Sequence, residues 1–352
     1  MVMKRRTSPT RRAPRRIALW ATTLSALCSL AFVLAAGDSS AGAQSTIEMK
    51  IATVAPEGTP WEKQLRSFRR YVQENTNGRV QVKMFMGGSL GGEKALVRRT
   101  AQGSIQVFGG STAALGSLVP ELNVIEAPYL FDDAQEADRA LDNDAVRSQV
   151  ASLVSARGFQ MGFWAENGFR SWFTKDRAIR QPSDLQGLRM RSQEARIHLA
   201  TYRSLGANPV PIDVTNVLTS LQTNVVDGFD NTPLFAFATS WYQAARHLNL
   251  SEHSYQPGII VYSKRWFDGL PDDIKQVLTN VPGDMERSGR RNVRRMDPIL
   301  VRNLERYGIQ VHRPSASERQ AFAQATSSVA NRTASKIGSG ARNLLRAIRA
   351  AN

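Results

Sequence analysis

Histidine, cysteine, serine and arginine are the side chains through which this chain could do chemistry, and their spacing narrows the choices. The four histidines are His198, His247, His253 and His312. None sits in an H-E-x-x-H pattern, and the six-residue gap between His247 and His253 is not a helical ligand spacing. They read as surface or packing residues rather than metal ligands. The one cysteine, Cys28, lies in an apolar N-terminal stretch. The rest of the chain therefore has no thiolate chemistry and no disulfide. Serines are plentiful, but no nucleophile–base pair stands out. Gly87-Gly88-Ser89-Leu90-Gly91-Gly92 lacks the G-K-[ST] ending of a P-loop and does not fit G-x-G-x-x-G, so it reads as a strand-to-helix turn. The expectation is a protein that is not an enzyme and has no catalytic residue, metal site or cofactor.

The N-terminus says where the protein works. Lys4, Arg5, Arg6, Arg11, Arg12, Arg15 and Arg16 precede an apolar stretch from Ile17 to Ala36. Ala41-Gly42-Ala43 then supplies small residues at the −3 and −1 positions of a cleavage site. This is the layout of a secretory signal peptide over residues 1–43, leaving Gln44 as the mature N-terminus. The apolar stretch is long for a leader, and an uncleaved anchor is the competing reading. Arg15-Arg16 leaves the choice between general and twin-arginine export open. No second long apolar run follows, so the mature chain is expected to be soluble.

The chain has a formal net charge of +16. Removing the leader, with its seven basic residues and Asp38, leaves about +10. Much of that sits at Arg287, Arg290, Arg291, Arg294, Arg295 and Arg302. At helical spacing these spread around a helix and read as a solvated face. A nucleic-acid surface is the alternative, but an exported protein rarely meets nucleic acid.

After the leader, short strands alternate with helices, which predicts α/β lobes with mixed sheets. Ile47 to Thr53 alternates as a first strand. Thr59-Pro60-Trp61-Glu62 looks like a helix start, with Thr59 as N-cap and Glu62 as its capping-box partner, and Asn77-Gly78 as the stop. Val80–Met86 and Ile105–Phe108 read as strands, the latter ending at Gly109-Gly110, and Glu93 opens a helix. Further strands are expected at 170–174, 188–192, 225–229 and 259–262. Helices are expected at about 194–205 and 214–222, and over most of the chain from Asp272. A break at Tyr307-Gly308 precedes a short strand at 309–311.

Six segments, in order, resemble the DctP-type substrate-binding subunits of TRAP (tripartite ATP-independent periplasmic) transporters. They are Ile51-Ala-Thr-Val-Ala-Pro-Glu-Gly-Thr-Pro-Trp61, Gly88-Ser-Leu-Gly-Gly-Glu93, and Pro120-Glu-Leu-Asn-Val-Ile-Glu-Ala-Pro-Tyr-Leu-Phe131. After these come Asp184-Leu-Gln-Gly-Leu-Arg-Met-Arg191, Leu205-Gly-Ala-Asn-Pro-Val-Pro211 and Leu221-Gln-Thr-Asn-Val-Val-Asp-Gly228. Each motif alone is weak, but six in order, from about residue 47 to about 330, are specific. The resemblance implies a two-lobed periplasmic-binding-protein fold with hinge segments and a long helix spanning both lobes. Lobe I would be 44–167 plus 257–296, and lobe II 168–256 plus 297–352. It also implies a monomer in the periplasm that closes on a small organic acid and delivers it to the membrane permease subunits of a TRAP transporter.

The resemblance also assigns the site. Arg191 matches the arginine that pairs with the ligand carboxylate, a role suited to two parallel N–H donors. Without the resemblance, Arg189 and Arg191 could exchange roles, since two residues apart they share a strand face. Arg170 matches a second ligand-contacting arginine. Asn231 follows the V-D-G run where relatives carry a polar contact, although Phe229 and Thr232 depart from the usual Q-E-N-P. Glu93 matches a polar residue near the ligand and could equally be a helix N-terminal carboxylate. Val214 stands where an aromatic often packs on the ligand, and Trp61 and Trp164 are candidate cleft walls. Phe229, Val214 and the tryptophans together suggest a ligand with an apolar body, such as a keto acid or a branched or aromatic acid. A sensory protein presenting the same kind of ligand to a membrane receptor would carry the same residues.

Overall fold

The computed structural model describes residues 46–352, so the leader and its cleavage site lie outside the described residues. The first strand, β1 (Ile47–Ala52), leads to helix α1 (Pro60–Asn75). Thr59 caps this helix by accepting from the Glu62 backbone N–H at 3.3 Å. Glu62 does not close the reciprocal half of the box. Its Oε2 accepts from Gly58 N instead, at 2.6 Å. The helix stops where Asn77 and Gly78 take φ of 49° and 72°, the left-handed geometry that ends helices.

Next come β2 (Val80–Phe85), helix α2 (Glu93–Ala101) and β3 (Val107–Ser111). The sequence suggested that β3 ends at its glycines. Instead Gly109 and Gly110 pair antiparallel with Ile260 and Ile259. The missing side chain serves close approach: a Cβ on Gly110 would lie 2.2 Å from Phe108 Cζ and 2.7 Å from Glu93 Oε1. The strand runs on through glycines that suggest its end, because sequence carries no record of what crowds a glycine.

The two strands that organise the molecule are much longer than expected. β4 (Phe159–Thr174) has 16 residues. β5 (Arg189–Ser192), β6 (Asn208–Pro211) and β7 (Gly228–Asn231) follow, then β8 (His247–Ser263) with 17 residues, and β9 (Gln310–His312). The sheet order is β2-β1-β3-β8-β4-β7-β5-β6, with β9 on β8. β4 and β8 run antiparallel along their length. β3 joins β8 only at Gly258–Tyr262, and β7 joins β4 only at 171–174. The stretch between belongs to both halves, and the register shifts there, between Glu166 and Gly168 and again between Arg170 and Trp172. Two lobes result, crossed by two continuous strands. The apolar clusters follow the same division: Met49, Leu65 and Phe68 pack under one half of the sheet, and Phe173, Leu221 and Phe229 under the other. β6 lies at the sheet edge, the position that tolerates Pro209 and Pro211.

Helix Gly283–Tyr307 has 25 residues and runs about 37 Å. It packs on α1, on β4 and on the helix Pro233–Ala238. The sequence reading made its arginines a solvated face. Arg287, Arg291, Arg295 and Arg302 are exposed, but Arg290 is 3% exposed and Arg294 half-buried. Arg290 pairs with Asp138 and Asp142, each at 2.7 Å, and Arg294 with Asp138 and Glu166, each at 2.6 Å. Spacing of i, i+4 puts both on the face that meets helix Ala134–Asp142 and β4, and the acids that draw them inward are far away in sequence.

Candidate functional site

Where β4 and β8 cross, a cleft is lined from both halves of the sheet. Trp61 and Glu93 come from the first half, Arg191 and Asn231 from the second, and Arg170 and Gln256 from the crossing strands.

Arg191, on β5, is 3% exposed. Its Nε and Nη2 both donate to the Ile212 carbonyl, at 3.1 and 2.9 Å, and its guanidinium stacks 5.2 Å from the Trp241 ring centroid. These contacts fix its orientation. Among the described residues no carboxylate lies within ion-pair distance of it. Burial, and then the charge of Arg170, bring its pKa down to about 10, so it stays cationic at neutral pH. Arg189, two residues earlier, is not among the residues that line the cleft: its side chain is 48% exposed and pairs with Asp227.

Arg170 also lines the cleft but is already paired. Its Nε lies 2.6 Å from Asp230 Oδ2, its Nη2 donates to the Asp230 carbonyl, and its Nη1 donates to Gln256 Oε1. Burial pushes the Asp230 carboxyl up, but Arg170 and a hydrogen bond from His253 hold it well below the usual range. Tyr202 adds a hydrogen bond of 2.8 Å to the same carboxylate. Asn231 Oδ1 accepts from Thr232 N and Asn167 Nδ2, and its own N–H donors find no acceptor among the described residues.

Glu93 opens α2 at the side of the cleft. It accepts from Ser111 N at 2.9 Å and from Gln193 Nε2 at 3.0 Å. Burial dominates and raises its pKa to about 7, with Glu126 adding to the effect. Trp61 lines the cleft at 8% exposure, and its buried Nε1 finds no acceptor among the described residues. Gly258 makes room for the ring, since a Cβ there would stand 2.1 Å from Trp61 Cζ3. Val214 is a partly buried wall residue.

Two expected wall residues lie elsewhere. Phe229 is fully buried, stacked on Phe173 at 4.8 Å and edge-on to Trp241. Its side chain therefore supports Trp241, and through it Arg191, from behind. Trp164 is also fully buried, and its Nε1 donates to the Leu141 carbonyl. On a strand, neighbouring side chains alternate faces, and both aromatics fall on the core side. Leu234, Phe235 and Ala238 take their place as apolar wall residues of the cleft.

Sequence reading missed Gln193, Gln256 and Asn167, which join the two halves. Gln256 Nε2 donates to Gln193 Oε1 and to Glu126 Oε2, while Gln193 reaches Glu93 and Ser111. The one available signal was Gln193, two residues beyond Arg191 and immediately after the end of β5.

The histidines are buried packing residues in two cases. His198 pairs with Glu126 at 2.8 Å, and His253 stacks on Trp172 at 4.3 Å. Ser251, His253 and Asp230 stand in a row, with Ser251 Oγ 2.9 Å from His253 Nδ1 and His253 Nε2 3.5 Å from Asp230. They are at most 3% exposed, and none of them lines the cleft. Gly87-Gly88-Ser89-Leu90-Gly91 has the G-x-S-x-G spacing of a nucleophile elbow, but Ser89 is an exposed turn residue with no histidine bonded to it. Among the described residues, no group of three His, Cys, Asp or Glu side chains is placed to hold a metal ion, and no helix is long and apolar enough to cross a membrane.

The model of DctP, bacterial extracellular solute-binding protein family 7, matches residues 51–336. A solute-binding protein of Verminephrobacter eiseniae is 30% identical over 271 residues, which is 77% of this chain and 80% of the relative. Among solved structures, the sugar acid binding protein DctPAm of Advenella mimigardefordensis, in complex with galactonate, superposes with a TM-score of 0.82 at 28% identity. That match covers 87% of this chain and 99% of the other. A TRAP periplasmic solute-binding protein of Polaromonas sp. JS666, bound to D-erythronate, gives a TM-score of 0.81 at 27% identity, covering 86% and 98%.

Proposed function

This chain belongs to bacterial extracellular solute-binding protein family 7, and from that premise we propose that it captures a small organic acid in the periplasm and hands it to the membrane subunits of a TRAP transporter. The observation that carries the reading is Arg191: a buried guanidinium, held in place by a carbonyl and a tryptophan, with no carboxylate among the described residues paired to it. A buried charge without a partner is costly, and an anionic ligand in the cleft supplies the partner. The galactonate and D-erythronate of its structural relatives are both carboxylates.

Arg191, Arg170, Asn231, Glu93, Trp61 and Val214 are the proposed ligand-contacting residues, with Gln193, Gln256 and Asn167 bracing them. The lobes are proposed as 44–167 with 257–296 and 168–256 with 297–352, hinged where β4 and β8 cross. Binding without chemical conversion is the expected activity, since the Ser251–His253–Asp230 row is sealed from the cleft. Residues 1–43 are proposed to be cleaved on export, and N-terminal sequencing of periplasmic protein should begin at Gln44. A thermal-shift screen of the protein against a carboxylate library tests the reading. A ligand at about 100 times its Kd should add roughly 2.7 kcal/mol of stability, and a blank screen would sink the proposal.

A further inference from the structure

We propose that this cleft selects a monocarboxylate bearing a neutral oxygen, a hydroxyl or oxo group, and rejects dicarboxylates; this rests on the solute-binding reading above. The selection follows from a charge inventory. The charged residues lining the cleft are Glu93, Glu166, Arg170 and Arg191. Arg170 is neutralised by Asp230, with both side chains 1% exposed. Glu166 is neutralised by Arg294, whose Nε and Nη2 both donate to it. One cation therefore remains for a ligand, Arg191. A second carboxylate on the ligand would leave water and meet no cation, and Glu93 would repel it whenever ionised.

The donors left over suit neutral oxygen. Among the described residues, Trp61 Nε1 is buried and finds no acceptor, and neither do the Asn231 amide hydrogens. An indole N–H and an amide N–H satisfy a hydroxyl or oxo group but cannot offset a full charge. Trp61 is pinned by the close approach to Gly258, so its N–H is held at a fixed place rather than on a mobile side chain. Leu234, Phe235 and Ala238 complete an apolar side of the cleft for the remainder of the ligand.

The test is calorimetry of the exported protein with 2-hydroxyhexanoate, 2-hydroxyadipate and hexanoate, which share one six-carbon chain. The hydroxy monocarboxylate is expected to bind at least about tenfold more tightly than either of the others, because each lacks a match the site requires. Equal or tighter binding of 2-hydroxyadipate overturns the charge argument, and equal binding of hexanoate overturns the oxygen argument. Trp61→Phe keeps a ring but removes the donor. It should bring the ratio of 2-hydroxyhexanoate to hexanoate affinity towards one, and an unchanged ratio removes Trp61 from the subsite. If none of the three binds, hits from a screen of mono- and dicarboxylates decide. Single-carboxylate hits support the proposal and dicarboxylate hits overturn it while leaving the solute-binding reading intact. A blank screen takes down both.

Discussion

Arg170 and Asp230 face each other across β4 and β7 at the floor of the cleft, Nε to Oδ2 at 2.6 Å, with both side chains 1% exposed. Their mutual neutralisation leaves Arg191 as the one cation free for a ligand among the described residues that line the cleft. Removing one member of such a pair strands the other in a dry site. Asp230→Ala should therefore cost about 3–5 kcal/mol of stability, read from urea unfolding. Because Asp230 is held well below its ordinary pKa of 3.8, its contribution is present above that value and disappears as pH falls through the lower folded one. Asp230→Asn should accordingly lose least, relative to the parent protein, under strongly acidic conditions.

Arg191→Ala should weaken ligand binding by about 2–5 kcal/mol, since a desolvated carboxylate loses its partner. Arg191→Lys should weaken it less, replacing a planar fork with a point charge. Arg189 is half-exposed and paired with Asp227, so Arg189→Ala should leave affinity nearly unchanged. Calorimetry on the three variants, each first shown to fold by circular dichroism, decides the assignment; loss on Arg189→Ala alone would reverse it.

Glu93 should make both stability and affinity pH-dependent. Its folded pKa, raised to about 7 by burial, lies above the ordinary value of 4.5. The protonated form is thus favoured by folding, and its contribution is complete below pH 4.5 and lost as pH rises through 7. Glu93→Gln should flatten the fall in stability across that window. Affinity for a carboxylate should also drop through pH 7 in the parent protein as Glu93 ionises, and should hold steady in Glu93→Gln. Identical pH profiles for the two would argue against the burial of this carboxyl.

Ligand binding should draw the lobes together about the crossing segments, since a ligand held by both halves favours the state in which both reach it. Small-angle scattering should show a smaller radius of gyration with a confirmed ligand than without. An unchanged radius would mean that the lobes do not move.

Arg294→Ala should destabilise the fold more than Arg295→Ala, although the two are adjacent. Arg294 neutralises Asp138 and Glu166, whereas Arg295 is exposed. A loss of about 3–5 kcal/mol for the first and within about 0.5 kcal/mol for the second is expected from thermal or urea unfolding.

The chain's own pattern determined what depends on near neighbours. Thr59 and Pro60 start α1, Asn77-Gly78 ends it, and Glu93 opens α2, because caps and stops act within one helical turn. The family resemblance likewise picked out Arg191, Arg170, Asn231 and Glu93, all of which line the cleft. Contacts between distant segments were decided by tertiary structure alone. Phe229 and Trp164 face the core because β4 and β7 present that side to it, and Arg290 and Arg294 turn inward because Asp138 and Glu166 wait there, 128 to 156 residues away. The same distance hid Arg170's partner: Asp230 is 60 residues downstream, and only the folded sheet brings the two charges to 2.6 Å and leaves Arg191 alone with a charge to share.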